Sequence, residues 1–138
     1  MMEAAAASTE IWVLGWSVIF LLVHILVQAL SLDLSSDLGL KYLLGPRDQP
    51  KEPGNVLPGR LKRALGNFLE TYPAFVGLAL ALTITGKTGD LGATGAWLWF
   101  VARIVYVFLY AAGVPVLRTL VWFVSLLGLA LMVVRLMA

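Results

Sequence analysis

The chain of 138 residues has no cysteine, so it has neither disulfide bonds nor a cysteine nucleophile. It also has a single histidine, His24, and a metal site is therefore not expected. Charged residues are scarce as well: they make up 13% of the chain, about half the share of a typical soluble domain. The formal net charge is only +2, and no basic run alternates with aromatic residues, so nucleic acid is not an expected partner.

Apolar residues dominate instead. They make up 60% of the chain, and the mean hydropathy is +0.89. A membrane-spanning helix needs about 20 mostly apolar residues, and the sequence contains four runs of about this length. We predict an all-α membrane protein, a single domain over residues 1–138 built as a four-transmembrane-helix bundle. The predicted spans are about residues 11–32, 60–85, 96–112 and 115–137, with a linker at 33–59.

Lysine and arginine predict the orientation of the spans. Six of them lie in the first linker and the opening of span 2: Lys41, Arg47, Lys51, Arg60, Lys62 and Arg63. The second loop holds only Lys87. Because short cytoplasmic loops are enriched in these residues, we expect a cytoplasmic linker and both termini outside. The acidic start MMEAAAASTE is not typical of a signal peptide, and a bacterial inner membrane is the expected location, with an internal eukaryotic membrane left open.

Polar side chains form a stripe along one side of each of two predicted spans. The stripes, spaced i, i+4, i+7 and i, i+3, i+7, are Arg63, Asn67 and Glu70 in span 2, and Arg103, Tyr106 and Tyr110 in span 3. Polar groups inside a bilayer are costly and need partners. Arg60 and Lys62 are expected to be interfacial residues whose side chains reach the membrane surface.

The two stripes meet at matching depths if each residue adds about 1.5 Å along its helix. The predicted levels are Glu70 with Arg103, Asn67 with Tyr106, and Arg63 with Tyr110 and with Arg118 of span 4. Three arginines against one glutamate give a positive pocket, which suits an anionic ligand rich in hydrogen-bonding groups. The alternative is structural: Glu70 and Arg103 form an ion pair, and the remaining polar groups hold the helices together.

Three segments are distinctive: RALGNFLETYP at residues 63–73, ARIVYVFLY at 102–110 and VLRTL at 116–120. Together they resemble the MAPEG family, the membrane-associated proteins in eicosanoid and glutathione metabolism. The resemblance covers about residues 5–137. It implies a four-helix bundle that forms homotrimers, with glutathione as the cofactor bound between subunits near the cytoplasmic side.

The resemblance also implies roles for individual residues. The positions that match the family's glutathione-binding residues are Arg63, Asn67, Glu70, Arg103, Tyr106 and Tyr110. Arg118 matches the arginine that holds the thiolate and is the candidate catalytic residue. Two positions depart from the pattern, because Gly66 stands where some members have arginine and Thr71 where some have tyrosine.

The implied function is that of an integral membrane glutathione-dependent transferase or peroxidase. Such a protein activates the glutathione thiolate toward lipophilic electrophiles, so its partners are glutathione, a lipophilic small molecule and membrane lipid. Some members of the family do not catalyse a reaction, and the alternative is a MAPEG-fold protein that binds a lipid or an acidic metabolite. A small channel or exporter subunit is a third candidate, but the spans become apolar beyond Arg103 and Thr119, which leaves no continuous polar path.

Overall fold

The computed structural model describes residues 8–34 and 56–138, which fold into four helices. They are α1 (Thr9–Leu34), α2 (Leu57–Ile84), α3 (Asp90–Ala112) and α4 (Pro115–Met137). Each helix is long and apolar enough to cross a membrane, so the predicted all-α fold with four spans is confirmed. Residues 35–55 of the predicted linker lie outside the described part of the chain.

Helix α3 begins earlier than the sequence predicts, at Asp90 rather than near residue 96. The loop between predicted spans 2 and 3 is therefore shorter than predicted, because the second half of GKTGDLGATG (residues 86–95) is helical. Two of its glycines are buried inside α3 at close contacts: a Cβ on Gly92 would lie 2.7 Å from Oε1 of Glu10. Gly95 similarly faces the backbone of α4 at Gly128. Glycine here allows helices to approach one another and does not end a helix.

Helices α3 and α4 are joined by a tight turn. Gly113 adopts a left-handed conformation with φ of 77°, which glycine reaches without the steric cost of a Cβ. The N–H of Val114 donates to the carbonyl of Leu109 at 3.0 Å, as in a common helix C-terminal motif. Pro115 then opens α4, where its missing N–H costs nothing. The two helices are therefore antiparallel neighbours.

Aromatic rings fill the space between α2 and α3. Phe75 and Trp99 stack with their ring centroids 4.0 Å apart, and both side chains are fully buried. Phe68 and Tyr72 pack on the same tryptophan. The hydroxyl of Tyr72 also shares a 2.8 Å hydrogen bond with Ser17 of α1, so a polar contact fixes α1 against this core.

Polar contacts fasten the helix ends farthest from the predicted site. The N–H of Gly89 donates to Oε1 of the fully buried Glu10 at 2.8 Å. Nζ of Lys87 donates to the carbonyl of Leu136 at 2.8 Å, and Nε of Arg135 donates to the carbonyl of Lys87 at 2.9 Å. The start of α1, the α2–α3 loop and the end of α4 are thereby held together.

Candidate functional site

A polar cavity of about 370 Å³ lies between the start of α2, the end of α3 and the first turns of α4. Its volume falls within the range of small-molecule sites. The cavity is lined by Arg63, Gly66, Asn67, Glu70, Tyr106, Tyr110, Arg118, Thr119 and Trp122. Six of the seven residues predicted from the sequence therefore line one space, and the exception is Arg103. The lining carries two arginines and one glutamate, a formal charge of +1.

Tyr110 lies between the two arginines of the cavity. Its hydroxyl oxygen accepts a hydrogen bond from Nε of Arg63 at 3.1 Å. The guanidinium carbon of Arg118 lies 4.3 Å from the centroid of the same ring, a distance typical of a cation–π contact. The predicted common level of Arg63, Tyr110 and Arg118 is confirmed by these contacts. Tyr110 thus contacts both arginines of the cavity.

Arg103 is fully buried behind the cavity wall. Its guanidinium carbon lies 4.4 Å from the ring centroid of Tyr106 and 5.7 Å from that of Phe68. Within the described part of the chain, none of its three guanidinium nitrogens has a hydrogen-bond partner. The carboxylate of Glu70 interacts with this guanidinium electrostatically, but the described residues show no direct ion pair between them. The direct Glu70–Arg103 ion pair of the structural alternative is therefore not found among the described residues, whereas its second element, polar contact between helices, is present in the Arg63–Tyr110 hydrogen bond.

Two lining residues with hydrogen-bond acceptors, Asn67 and Glu70, lie farther along α2 than Arg63. Glu70 is exposed in the cavity, and Oδ1 of Asn67 is buried without a partner among the described residues. A buried unpaired acceptor is costly, so an incoming N–H donor would be stabilised there. Glu70 lies seven positions after Arg63, which corresponds to about 10 Å along a helix. The cavity thus has a cationic end and an acceptor end.

Three residues of the lining were not predicted as site residues: Gly66, Thr119 and Trp122. Helical spacing places two of them on the same helix face as predicted site residues, because Gly66 lies at i+3 from Arg63 and Trp122 at i+4 from Arg118. A Cβ on Gly66 would meet nothing within 4 Å, so the absence of an arginine there leaves the cavity open. The hydroxyl of Thr119 donates to the carbonyl of Pro115 at 3.1 Å.

Arg60 makes a contact that the sequence did not indicate. Its Nη1 donates to the carbonyl of Ala111 at 3.2 Å, at the C-terminal end of α3. The side chain therefore does not simply extend to the membrane surface as predicted. It joins the first turn of α2 to the last turn of α3, next to the cavity.

The model of the MAPEG family matches residues 13–138, nearly the whole chain. No curated protein and no solved structure gives a significant match. The match includes every residue that lines the cavity.

Proposed function

The chain belongs to the MAPEG family, and from this premise we propose that it binds glutathione and activates the thiolate toward lipophilic electrophiles. One observation supports the proposal most directly. A single cavity presents two arginines around Tyr110 at one end and the acceptors Asn67 and Glu70 at the other. Charges of opposite sign placed in this way suit a ligand that carries both carboxylates and an ammonium group.

Glutathione has two carboxylates, one ammonium group, two amides and a thiol. We propose that Arg63 binds a carboxylate, since a guanidinium matches a carboxylate in bidentate geometry. Glu70 then takes the ammonium group, and Asn67 accepts from an amide N–H. The distance of about 10 Å between the levels of Arg63 and Glu70 is close to the length of an extended tripeptide. Tyr106 and Tyr110 supply hydroxyl groups to the peptide between these ends.

Arg103 is proposed to support anion binding without touching the ligand. It lies behind Tyr106 and does not line the cavity, so it acts on a bound anion through its charge rather than by direct contact. Its burial and the aromatic rings around it lower the local dielectric, which strengthens that interaction. The cation therefore supports anion binding from behind the wall.

Arg118 is the proposed catalytic residue. A thiol has an ordinary pKa near 8.5, so only a few per cent is thiolate at pH 7. A guanidinium beside the sulfur favours the thiolate, which is the reactive nucleophile. A drop of about two pKa units would convert most of the bound thiol to thiolate at pH 7. An electrophile dissolved in the lipid would then reach the sulfur from the bilayer.

The protein is an integral multi-pass membrane protein, and three finer statements are proposals. We propose a homotrimer, a cytoplasmic linker with both termini outside, and residence in a bacterial inner membrane. Large apolar side chains on the outer surface of the protomer, among them Phe108 and Val116, offer faces for lipid or for another copy. The cavity runs from the end of α3 and the first turns of α4 to Glu70 at the middle of α2, and a ligand from water could enter at the helix ends.

Thermal unfolding in detergent with glutathione tests the binding proposal. A ligand present at 100 times its dissociation constant stabilises the folded state by about 2.7 kcal/mol, so the unfolding temperature should rise with glutathione concentration. Arg63→Gln and Glu70→Gln should each reduce this shift. Lys62→Gln should not, because Lys62 is exposed and outside the cavity. The absence of a shift in the parent protein at high glutathione concentration would overturn the proposal.

The same assay separates the catalytic proposal from the non-catalytic alternative. S-methylglutathione keeps every charged group of the ligand but lacks an ionisable thiol. A protein that only binds should be stabilised equally by both compounds and should form no thiolate. A protein that activates the thiol should show thiolate absorbance with glutathione alone.

A further inference from the structure

The guanidinium of Arg60 lies where three elements meet: the first turn of α2, the last turn of α3 and the α3–α4 turn. Its Nη1 donates to the carbonyl of Ala111 at 3.2 Å. A Cβ built on Gly113 would lie only 2.9 Å from Nη2 and 3.0 Å from Cζ and Nη1. The guanidinium therefore packs directly against the glycine of the turn.

Gly113 permits this contact for two reasons. Its φ of 77° suits glycine, and the lack of a Cβ leaves the space that Arg60 occupies. The last carbonyls of a helix lack intrahelical partners and carry partial negative charge, so a cation that donates to one of them is stabilising. Arg60 thus satisfies part of the C-terminal end of α3 and fixes the turn that follows.

The turn that Arg60 contacts leads directly into the helix that carries Arg118. Tyr110 directly precedes Ala111, the residue that accepts from Arg60. Arg118 stands on the first turn of α4 and places its guanidinium 4.3 Å from the Tyr110 ring. Arg60 therefore touches both the end of α3, which carries Tyr110, and the turn that leads to Arg118.

We propose that Arg60 is a positioning residue for the thiolate site: by bonding to the end of α3 and packing on Gly113, it holds Arg118 at the sulfur without touching the ligand. This proposal rests on the proposed function. Arg60 does not line the cavity, so a loss of direct ligand contact would not explain its effect. The expected signature is a change in thiolate formation that exceeds any change in glutathione affinity.

The test compares Arg60→Ala and Arg60→Lys with the matched control Lys62→Ala, an exposed cation two residues away. We expect the ratio of bound thiolate to bound thiol, measured by ultraviolet absorbance, to fall about tenfold in Arg60→Ala, which corresponds to one pKa unit of the ligand thiol. The dissociation constant for glutathione should change by less than about threefold, because the ligand keeps its contacts. Arg60→Lys should be intermediate, and the control should match the parent.

A second readout does not depend on glutathione. The chain has no cysteine, so Val116→Cys provides a single site for a nitroxide spin label on the first turn of α4, where the native side chain is 72% exposed. We expect the electron paramagnetic resonance line shape to show a more mobile label when Arg60→Ala is added, and no change with Lys62→Ala. This measurement tests the positioning step even if the parent protein forms no thiolate, a result that would overturn the proposed function alone.

Several outcomes would overturn the positioning role. An unchanged thiolate ratio together with an unchanged line shape would do so. A lower thiolate ratio with an unchanged line shape would mean that Arg60 acts by its charge, and a selective loss of affinity would mean that it contacts the ligand. If Arg60→Ala does not yield folded protein, the thiolate ratio and the line shape of Arg60→Lys test the positioning role instead.

Discussion

The contact between α3 and α4 depends on Gly128, and adding one methyl group there should be costly. A Cβ at this position would lie 2.6 Å from the backbone nitrogen of Trp99 and 2.7 Å from the carbonyl oxygen of Gly95. Both are backbone atoms of a helix and cannot rotate away as a side chain would. Overpacking typically costs 1–3 kcal/mol, and we expect Gly128→Ala to lie in the upper part of that range, at about 2–3 kcal/mol.

Gly77→Ala is the matched control. Gly77 lies on an exposed face of α2, and a Cβ there would meet nothing within 4 Å. Its replacement should be neutral or stabilising by up to about 1 kcal/mol, because alanine has the higher helix propensity. Thermal unfolding in detergent measures both variants.

At about 4 °C per kcal/mol for a chain of this length, Gly128→Ala should unfold about 8–12 °C below the parent. An unfolding temperature close to that of Gly77→Ala would refute the close packing of α3 on α4. The site should respond as well, since displacement of α4 from α3 moves Arg118 relative to Tyr110. We therefore expect less thiolate in Gly128→Ala at saturating glutathione.

Two further substitutions test individual contacts. Glu10→Ala removes the acceptor for the N–H of Gly89 and should destabilise the protein by about 1–3 kcal/mol, measured by thermal unfolding. Glu10→Gln keeps an acceptor oxygen and should lose less stability. Equal losses of stability in the two variants would contradict the role of that hydrogen bond. Tyr110→Phe removes the acceptor for Nε of Arg63 but keeps the ring beside Arg118. Glutathione affinity should therefore fall about tenfold, while the thiolate fraction of the bound ligand stays near the parent value. A parallel loss of both would contradict the assignment of binding to Arg63 and of thiolate formation to Arg118.

Composition and hydropathy were sufficient to predict four spans, but not every helix end. The predicted start of α3 is too late because the apolar run that indicates a span begins only after the glycine-rich stretch. At Gly92 and Gly95 the absence of a Cβ allows close contact with Glu10 and with α4. A sequence shows where glycines occur, but the neighbour that requires each of them is known only once the helices have packed.

The site shows a similar division. Counting residues along a helix gives the depth of a side chain, and so the common level of Arg63, Tyr110 and Arg118 was predictable. The count does not say how each helix is rotated against its neighbours. Arg103 therefore has the depth of a site residue but lies behind Tyr106. The contact of Arg60 is not predictable from the sequence, because its partner is a backbone carbonyl of another helix. A pattern of side chains does not indicate such a partner.

The formation of glutathione thiolate in the cavity is the central claim, and ultraviolet difference absorbance on titration with glutathione tests it most directly. The parent protein should show thiolate absorbance at pH 7 that saturates with ligand. Arg118→Ala should keep most of the binding measured by thermal unfolding and lose this absorbance. No absorbance change in the parent protein at saturating glutathione, or an unchanged signal in Arg118→Ala, would contradict the assignment.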